Sequence, residues 1–139
     1  MKTTLIQPYL FFSGRCEEAL EFYRTALGAV VDMVMLYKES PEPLPTGMVP
    51  PGFENKVLHT TFHIGGSTLM ASDGRDAGAG FAGFALALAV PTETDAKRAF
   101  AALAQGGRVD MPLAKTFWSA CFGMVTDRFG VGWMVSVAI

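Results

Sequence analysis

Thr116-Phe-Trp-Ser-Ala-Cys-Phe-Gly-Met-Val-Thr-Asp-Arg-Phe-Gly-Val-Gly-Trp-Met-Val-Ser-Val137 decides the fold. Val125 and the alternating run Trp133, Val135, Val137 are strand material. Asp127-Arg-Phe-Gly130 reads as the turn between two strands, with Gly130 free to take positive φ. Trp133-Met-Val-Ser136 has an echo sixty-four residues earlier, Leu69-Met-Ala-Ser72. The echo suggests one unit built twice.

Working outward, the two copies take shape. Leu5 to Phe12 predicts a strand, with Pro8 tolerable at an edge or bulge. Ser13-Gly14 opens a helix whose apolar face is Cys16, Ala19, Leu20, Tyr23 and Leu27, and Gly28 ends it. Ala29 to Lys38 and Lys56 to Ile64 predict strands, and Gly65-Gly66 turns the chain into a strand over Ser67 to Ser72. The pattern restarts with an apolar strand over Phe84 to Val90. Thr92 then caps a helix with Asp95 at N3, and Ala96, Ala99, Phe100 and Leu103 form its buried face. The order is βαβββ followed by βαβββ. Helix faces match at a shift of 77 and final strands at 64. The difference fits the Pro-rich stretch over 39–52, which lengthens only the first copy. That stretch reads as a mobile surface loop or as a lid over a pocket.

Strand parity assigns faces. Trp133, Val135 and Val137 should face a helix, leaving Met134 and Ser136 on the other side; Leu69 and Ala71 likewise leave Met70 and Ser72. In the second copy, Ala85, Ala87 and Ala89 fit under an alanine-faced helix, leaving Phe84, Leu86 and Leu88 for the opposite face. Opposite faces of two such sheets can curl around a cavity.

The chain of 139 residues is one domain's worth, 1–139, made of modules of about 1–75 and 82–139. A net charge of −2 offers no basic surface to nucleic acid or anionic lipid. The N-terminal Met1-Lys-Thr-Thr has no signal-peptide pattern, and no apolar run spans a bilayer. Two cysteines, Cys16 and Cys121, are too few for a disulfide framework, so a cytoplasmic protein with reduced thiols is expected. Half the residues are hydrophobic and 17% charged, so the chain either buries much of itself, keeps an apolar cavity or hides surface in an oligomer.

Gln7-Pro-Tyr-Leu-Phe-Phe12, Ala19-Leu-Glu-Phe-Tyr23, Leu69-Met-Ala-Ser-Asp73, Met111-Pro-Leu113, Thr116-Phe-Trp118 and Phe122-Gly-Met-Val-Thr-Asp-Arg-Phe-Gly130 carry a resemblance over nearly the whole chain. The sequence resembles the PhnB-like branch of the vicinal oxygen chelate superfamily, which includes glyoxalase I, extradiol dioxygenases and bleomycin-resistance proteins. The resemblance implies an α+β fold of two βαβββ modules, a cupped eight-stranded mixed sheet and a homodimer. It does not fix a reaction, because the superfamily hosts metalloenzymes and plain binders alike.

The superfamily's enzymes hold a divalent metal with His, Gln and Glu on the first and last strands of the modules. Carried over, those positions are Gln7, Phe84, Met70 and Met134. Only Gln7 offers a hard donor, and a thioether is soft. No metal and no other cofactor is therefore expected. The ligand-binding candidates are Gln7, His59, Met70, Ser72, Phe84, Trp118, Phe122 and Met134.

Other constellations have plainer readings beside them. His59 and His63 share a strand face about 13 Å apart, too far for one ion. His59 is a hydrogen-bonded wall residue or a catalytic base; His63 is a solvated rim residue. Cys16 and Cys121 read as inert buried thiols. Phe117, Trp118 and Phe122 pack in a core or wall a planar ligand. Asp127 bonds turn amides.

Three functions follow, in this order. The first is a small-molecule-binding protein with a mostly apolar cup for an apolar or aromatic ligand. The second is a metal-dependent glyoxalase- or dioxygenase-like enzyme with a rearranged site using Gln7 and His59. The third is a homodimeric scaffold without ligand.

Overall fold

The computed structural model describes residues 3–44, 49–74 and 80–137. The chain divides into two compact units, Met1–Ala79 and Gly80–Ile139. The first carries β1 (Tyr9–Phe11), α1 (Cys16–Leu27), β2 (Val30–Leu36), β3 (Val57–Ile64) and β4 (Ser67–Ser72). The second carries β5 (Leu86–Val90), α2 (Glu93–Ala104), β6 (Arg108–Ala114), β7 (Phe122–Thr126) and β8 (Gly132–Val137). The βαβββ order thus occurs twice, as the sequence predicts. The fold is α+β, with two four-stranded mixed sheets ordered β1-β4-β3-β2 and β5-β8-β7-β6. In each, the first and last strands of the unit run parallel and the other neighbours antiparallel.

The first unit's core lies between α1 and one face of its sheet. Cys16, Ala19, Leu20 and Tyr23 are buried on the helix; Leu10, Thr60, Phe62, Leu69 and Ala71 are buried on the strands. The Tyr23 ring stacks on Phe62 with centroids 6.4 Å apart. No side chain at Arg15 caps α1. Instead Asp73, beyond the end of β4, accepts hydrogen bonds from Gly14 N and Cys16 N, both at 2.8 Å, and from Val57 N at 2.9 Å. A buried carboxylate from the far end of the unit satisfies helix-start donors that otherwise lack partners.

The second unit repeats the plan with a local cap. Asp95 N donates to Thr92 Oγ1 at 3.1 Å, and Thr92 Oγ1 donates to Asp95 Oδ2 at 2.9 Å. Ala96, Ala99, Phe100 and Leu103 are the buried residues of α2. Two glycines let the chain pass close to itself. A Cβ on Gly107 would stand 2.2 Å from the Thr126 carbonyl oxygen, and one on Gly123 would stand 2.8 Å from the Phe100 ring. The turn after β7 forms as expected: Asp127 Oδ1 accepts from Phe129 N and Val131 N, its Oδ2 accepts from Trp133 Nε1, and Gly130 has φ +91°.

Three expectations change. β1 covers three residues rather than eight; Pro8 cannot donate, but its carbonyl accepts from Met70 N at 2.9 Å. The β5 faces are reversed. Leu86, Leu88 and Val90 are in register with buried Trp133, Val135 and Val137 on the α2 side, whereas Ala87 and Ala89 align with Met134 and Ser136. Small residues on α2 leave room that leucine fills and alanine does not. Phe84 lies ahead of β5, half exposed, edge-on to Phe81 at 6.3 Å. The lid reading of 39–52 falls partly on 45–48, outside the described residues. No helix among the described residues is long and apolar enough to cross a membrane.

Candidate functional site

The face of each sheet turned away from its helix holds the chemistry. In the first sheet the register places Tyr9, Met70, Thr61 and Met33 in one row across four strands. Phe11 and Ser72 form the row on one side, and His59 pairs with Met35. In the second sheet the equivalent row is Ala87, Met134, Met124 and Met111. Ala89, Ser136 and Phe122 follow beside it. Met33, Met35, Met70, Met111, Met124 and Met134 therefore all share these helix-free faces. β2 and β6 reach them through the same irregularity. Val31-Asp32-Met33 and Val109-Asp110-Met111, 78 residues apart, each skip a ladder position at the aspartate.

The first face also carries His59, Thr61, His63, Thr68 and Ser72, most of them in hydrogen bonds. Tyr9 Oη and His59 Nδ1 share a hydrogen bond of 3.1 Å, and His59 Nε2 lies 3.5 Å from Thr61 Oγ1. The Tyr9 ring leans on Phe11 at 4.9 Å and on His59 at 5.6 Å. Gln7 lies two residues before Tyr9 and shares its parity. Ser72 is buried, and its hydroxyl oxygen accepts from Gly74 N at 3.1 Å. His63 is partly exposed, with Nδ1 3.0 Å from Asp32 Oδ1. The matching pair in the second sheet is Asp110, held by Thr126 Oγ1 at 2.6 Å and Arg108 Nε at 2.7 Å. The Thr126 hydroxyl, followed by Arg108, keeps the Asp110 carboxyl below the usual carboxylate range.

A divalent metal fits these donors poorly. Tyr9 is in register with Met70 as Ala87 is with Met134, so the second-copy counterpart of Gln7 is Ala85, not Phe84. The link from β1 to α1 is one residue longer than that from β5 to α2, so a shift taken from the helices misses the strands by one. In the first unit these positions hold an amide and a thioether, and in the second a methyl group and a thioether, where a hard cation needs nitrogen and oxygen donors. Both ring nitrogens of His59 already face hydroxyls. Among the described residues no group of three His, Cys, Asp or Glu side chains is placed to hold an ion.

The aromatic cluster is brought together but not buried as a core. Phe117 and Trp118 rings lie 4.7 Å apart and Trp118 and Phe122 5.4 Å, edge-on in both cases. Phe122 is buried, Trp118 half exposed and Phe117 almost wholly exposed. Both cysteines are buried. Burial, and then the charge of Asp73, push the Cys16 thiol far above its ordinary range, which suppresses the thiolate. Tyr9, Phe11, Met33, Met35, Met111 and Met124 are face residues that sequence reasoning missed. The shared parity of Gln7, Tyr9 and Phe11, and the repeated Val-Asp-Met, were the available signals.

Comparison with known proteins agrees with this architecture. Residues 5–135 match the model of the Glyoxalase/Bleomycin resistance protein/Dioxygenase superfamily. The chain is 37% identical to protein YjdN of Escherichia coli (strain K12) over 140 residues, 95% of this chain and 94% of that one. It superposes on the crystal structure of PA1353 from Pseudomonas aeruginosa with TM-score 0.84 and 41% identity, covering 97% of this chain and 98% of that one. The PhnB protein from Bacillus cereus gives TM-score 0.80 and 30% identity, covering 97% and 100%. Duplicated modules, mixed sheets and near full-length kinship lead to one assignment: the chain belongs to the Glyoxalase/Bleomycin resistance protein/Dioxygenase superfamily, and it is similar to PhnB of Bacillus cereus and YjdN of Escherichia coli.

Proposed function

We propose that this protein binds a small apolar or aromatic molecule on the helix-free faces of its sheets, without a divalent-metal chelate. The observation that carries the reading is the composition of those faces: six methionines with Tyr9, Phe11 and Phe122, beside polar groups concentrated on the first sheet at His59, Thr61, His63, Thr68 and Ser72. Methionine is unbranched and polarizable, so it adapts to ligand shape and makes favourable sulfur–aromatic contacts. A small number of fixed polar groups then orient the ligand. The Tyr9–His59 pair supplies such a point, and Gln7 a second. The half-exposed Trp118 ring stands edge-on to Phe122 at 5.4 Å and adds aromatic surface beside it. Association into a homodimer belongs to the same reading, because Val30, Val31, Met33 and Val34 leave an edge strand exposed and apolar.

Thermal denaturation with a panel of flat aromatic compounds tests the reading. A ligand at one hundred times its Kd adds about 2.7 kcal/mol to stability and raises Tm by several degrees. No stabilisation across the panel would contradict the reading. One tightly held zinc, nickel, manganese or iron ion per chain would favour a metalloenzyme instead.

A further inference from the structure

We propose that Met111, Met124 and Met134 form a binding site for a soft monovalent cation, Cu(I). The three residues are direct cross-strand partners, Met111 with Met124 and Met124 with Met134, on the helix-free face of the second sheet. Neighbouring strands lie about 4.8 Å apart, so the outer two backbones stand roughly 10 Å apart with the third between them. Each side chain turns about three bonds, which lets three sulfurs converge above the middle strand. All three residues are partly exposed, open to an ion yet sheltered by the sheet.

Donor chemistry selects the ion. Neutral thioethers are soft ligands that suit Cu(I) and discriminate against magnesium, calcium and manganese. No thiol or imidazole competes within the row. Asp110, next to Met111 in sequence, is already paired with Arg108 at 2.7 Å. The equivalent row of the first sheet differs: Thr61 stands between Met33 and Met70, which leaves two thioethers with a hydroxyl between them. The inference stands apart from the small-molecule reading, since Met→Leu keeps the apolar bulk and removes only the sulfur.

The test uses protein with methyl-labelled methionine and Ag(I) as a redox-inert probe, followed by anaerobic competition for Cu(I) against bicinchoninate. Ag(I) should shift the methyl resonances of Met111, Met124 and Met134, saturating at one equivalent, while those of Met33 and Met70 stay in place. Met124→Leu should weaken Cu(I) binding at least tenfold with unchanged circular dichroism, and Met70→Leu should not. Unmoved methionine resonances would overturn the proposal. So would Cu(I) binding that survives Met124→Leu, or that disappears in Cys16→Ala/Cys121→Ala while the methionine resonances never respond.

Discussion

Met70 and Met134 occupy the same register position in two equivalent sheets, yet they sit among different neighbours. Met70 lies between Tyr9 and Thr61, and Met134 between Ala87 and Met124. Duplication has kept the scaffold position and diverged around it. One copy presents a tyrosine–histidine pair; the other presents a row of thioethers.

That difference is convertible. Thr61→Met should complete a three-thioether row in the first sheet, with Met33 and Met70 as its flanks. Titration with Ag(I) should then saturate at two equivalents rather than one, and the Met33 and Met70 methyl resonances should begin to move. The lost contact from Thr61 to His59 is long, at 3.5 Å, so the stability cost should stay below about 1.5 kcal/mol.

Asp73→Ala should be among the most damaging single changes in the first unit. It removes the acceptor for Gly14 N, Cys16 N and Val57 N together, at a residue that is 1% exposed. Hydrogen bonds to a charged acceptor contribute about 1.5–3 kcal/mol each, and stranded buried donors add a desolvation cost. A loss of about 3 kcal/mol or more in urea unfolding is expected. Asp73→Asn should recover part of it, because one carboxamide oxygen still accepts.

Much of this architecture was legible in the chain. The buried face of α2, its Thr92 cap and the β7–β8 hairpin follow from periods of 3.6 and 2 and from turn chemistry. The helix-free face was legible through Met70 and Met134, because buried alternation on both sides of them fixes parity. β5 was not, since Leu86-Ala-Leu-Ala89 is apolar at every position and only the small residues of α2 decide which set packs inward. The role of Asp73 was hidden as well, because it caps a helix that starts 57 residues earlier. Tyr9 and His59, 50 residues apart, meet only through the β1-β4-β3 order.

Cys16 predicts the alkaline behaviour of the fold. Its folded pKa is raised by burial and by Asp73, above that of an unfolded thiol at about 8.5. The native state therefore keeps a proton that the unfolded state releases. Stability from this group is full below the unfolded pKa and falls as pH rises past it, by at most about 1.4 kcal/mol per unit. Unfolding free energy measured from pH 7 to 10 should show this decline, and Cys16→Ala should flatten it. Thiol labelling of native protein at Cys16 should be slow and limited by opening.

Gly107→Ala should destabilise the second unit more than Gly66→Ala does the first. A Cβ at Gly107 would meet the Thr126 carbonyl oxygen at 2.2 Å and the Asp127 backbone at 3.0 Å, and backbone cannot rotate aside. At Gly66 the added methyl meets nothing within 4 Å. A cost of about 1–3 kcal/mol is expected at Gly107, against about 0.5 kcal/mol or less at Gly66.

The central claim is that the helix-free faces receive a small molecule. Methyl NMR of the native protein, with all methionines labelled and flat aromatic compounds titrated in, reads those faces directly. The account predicts at least one compound that shifts strand methionine resonances saturably, at Met33, Met35 and Met70 or at Met111, Met124 and Met134. A panel that leaves every one of the six in place would contradict it.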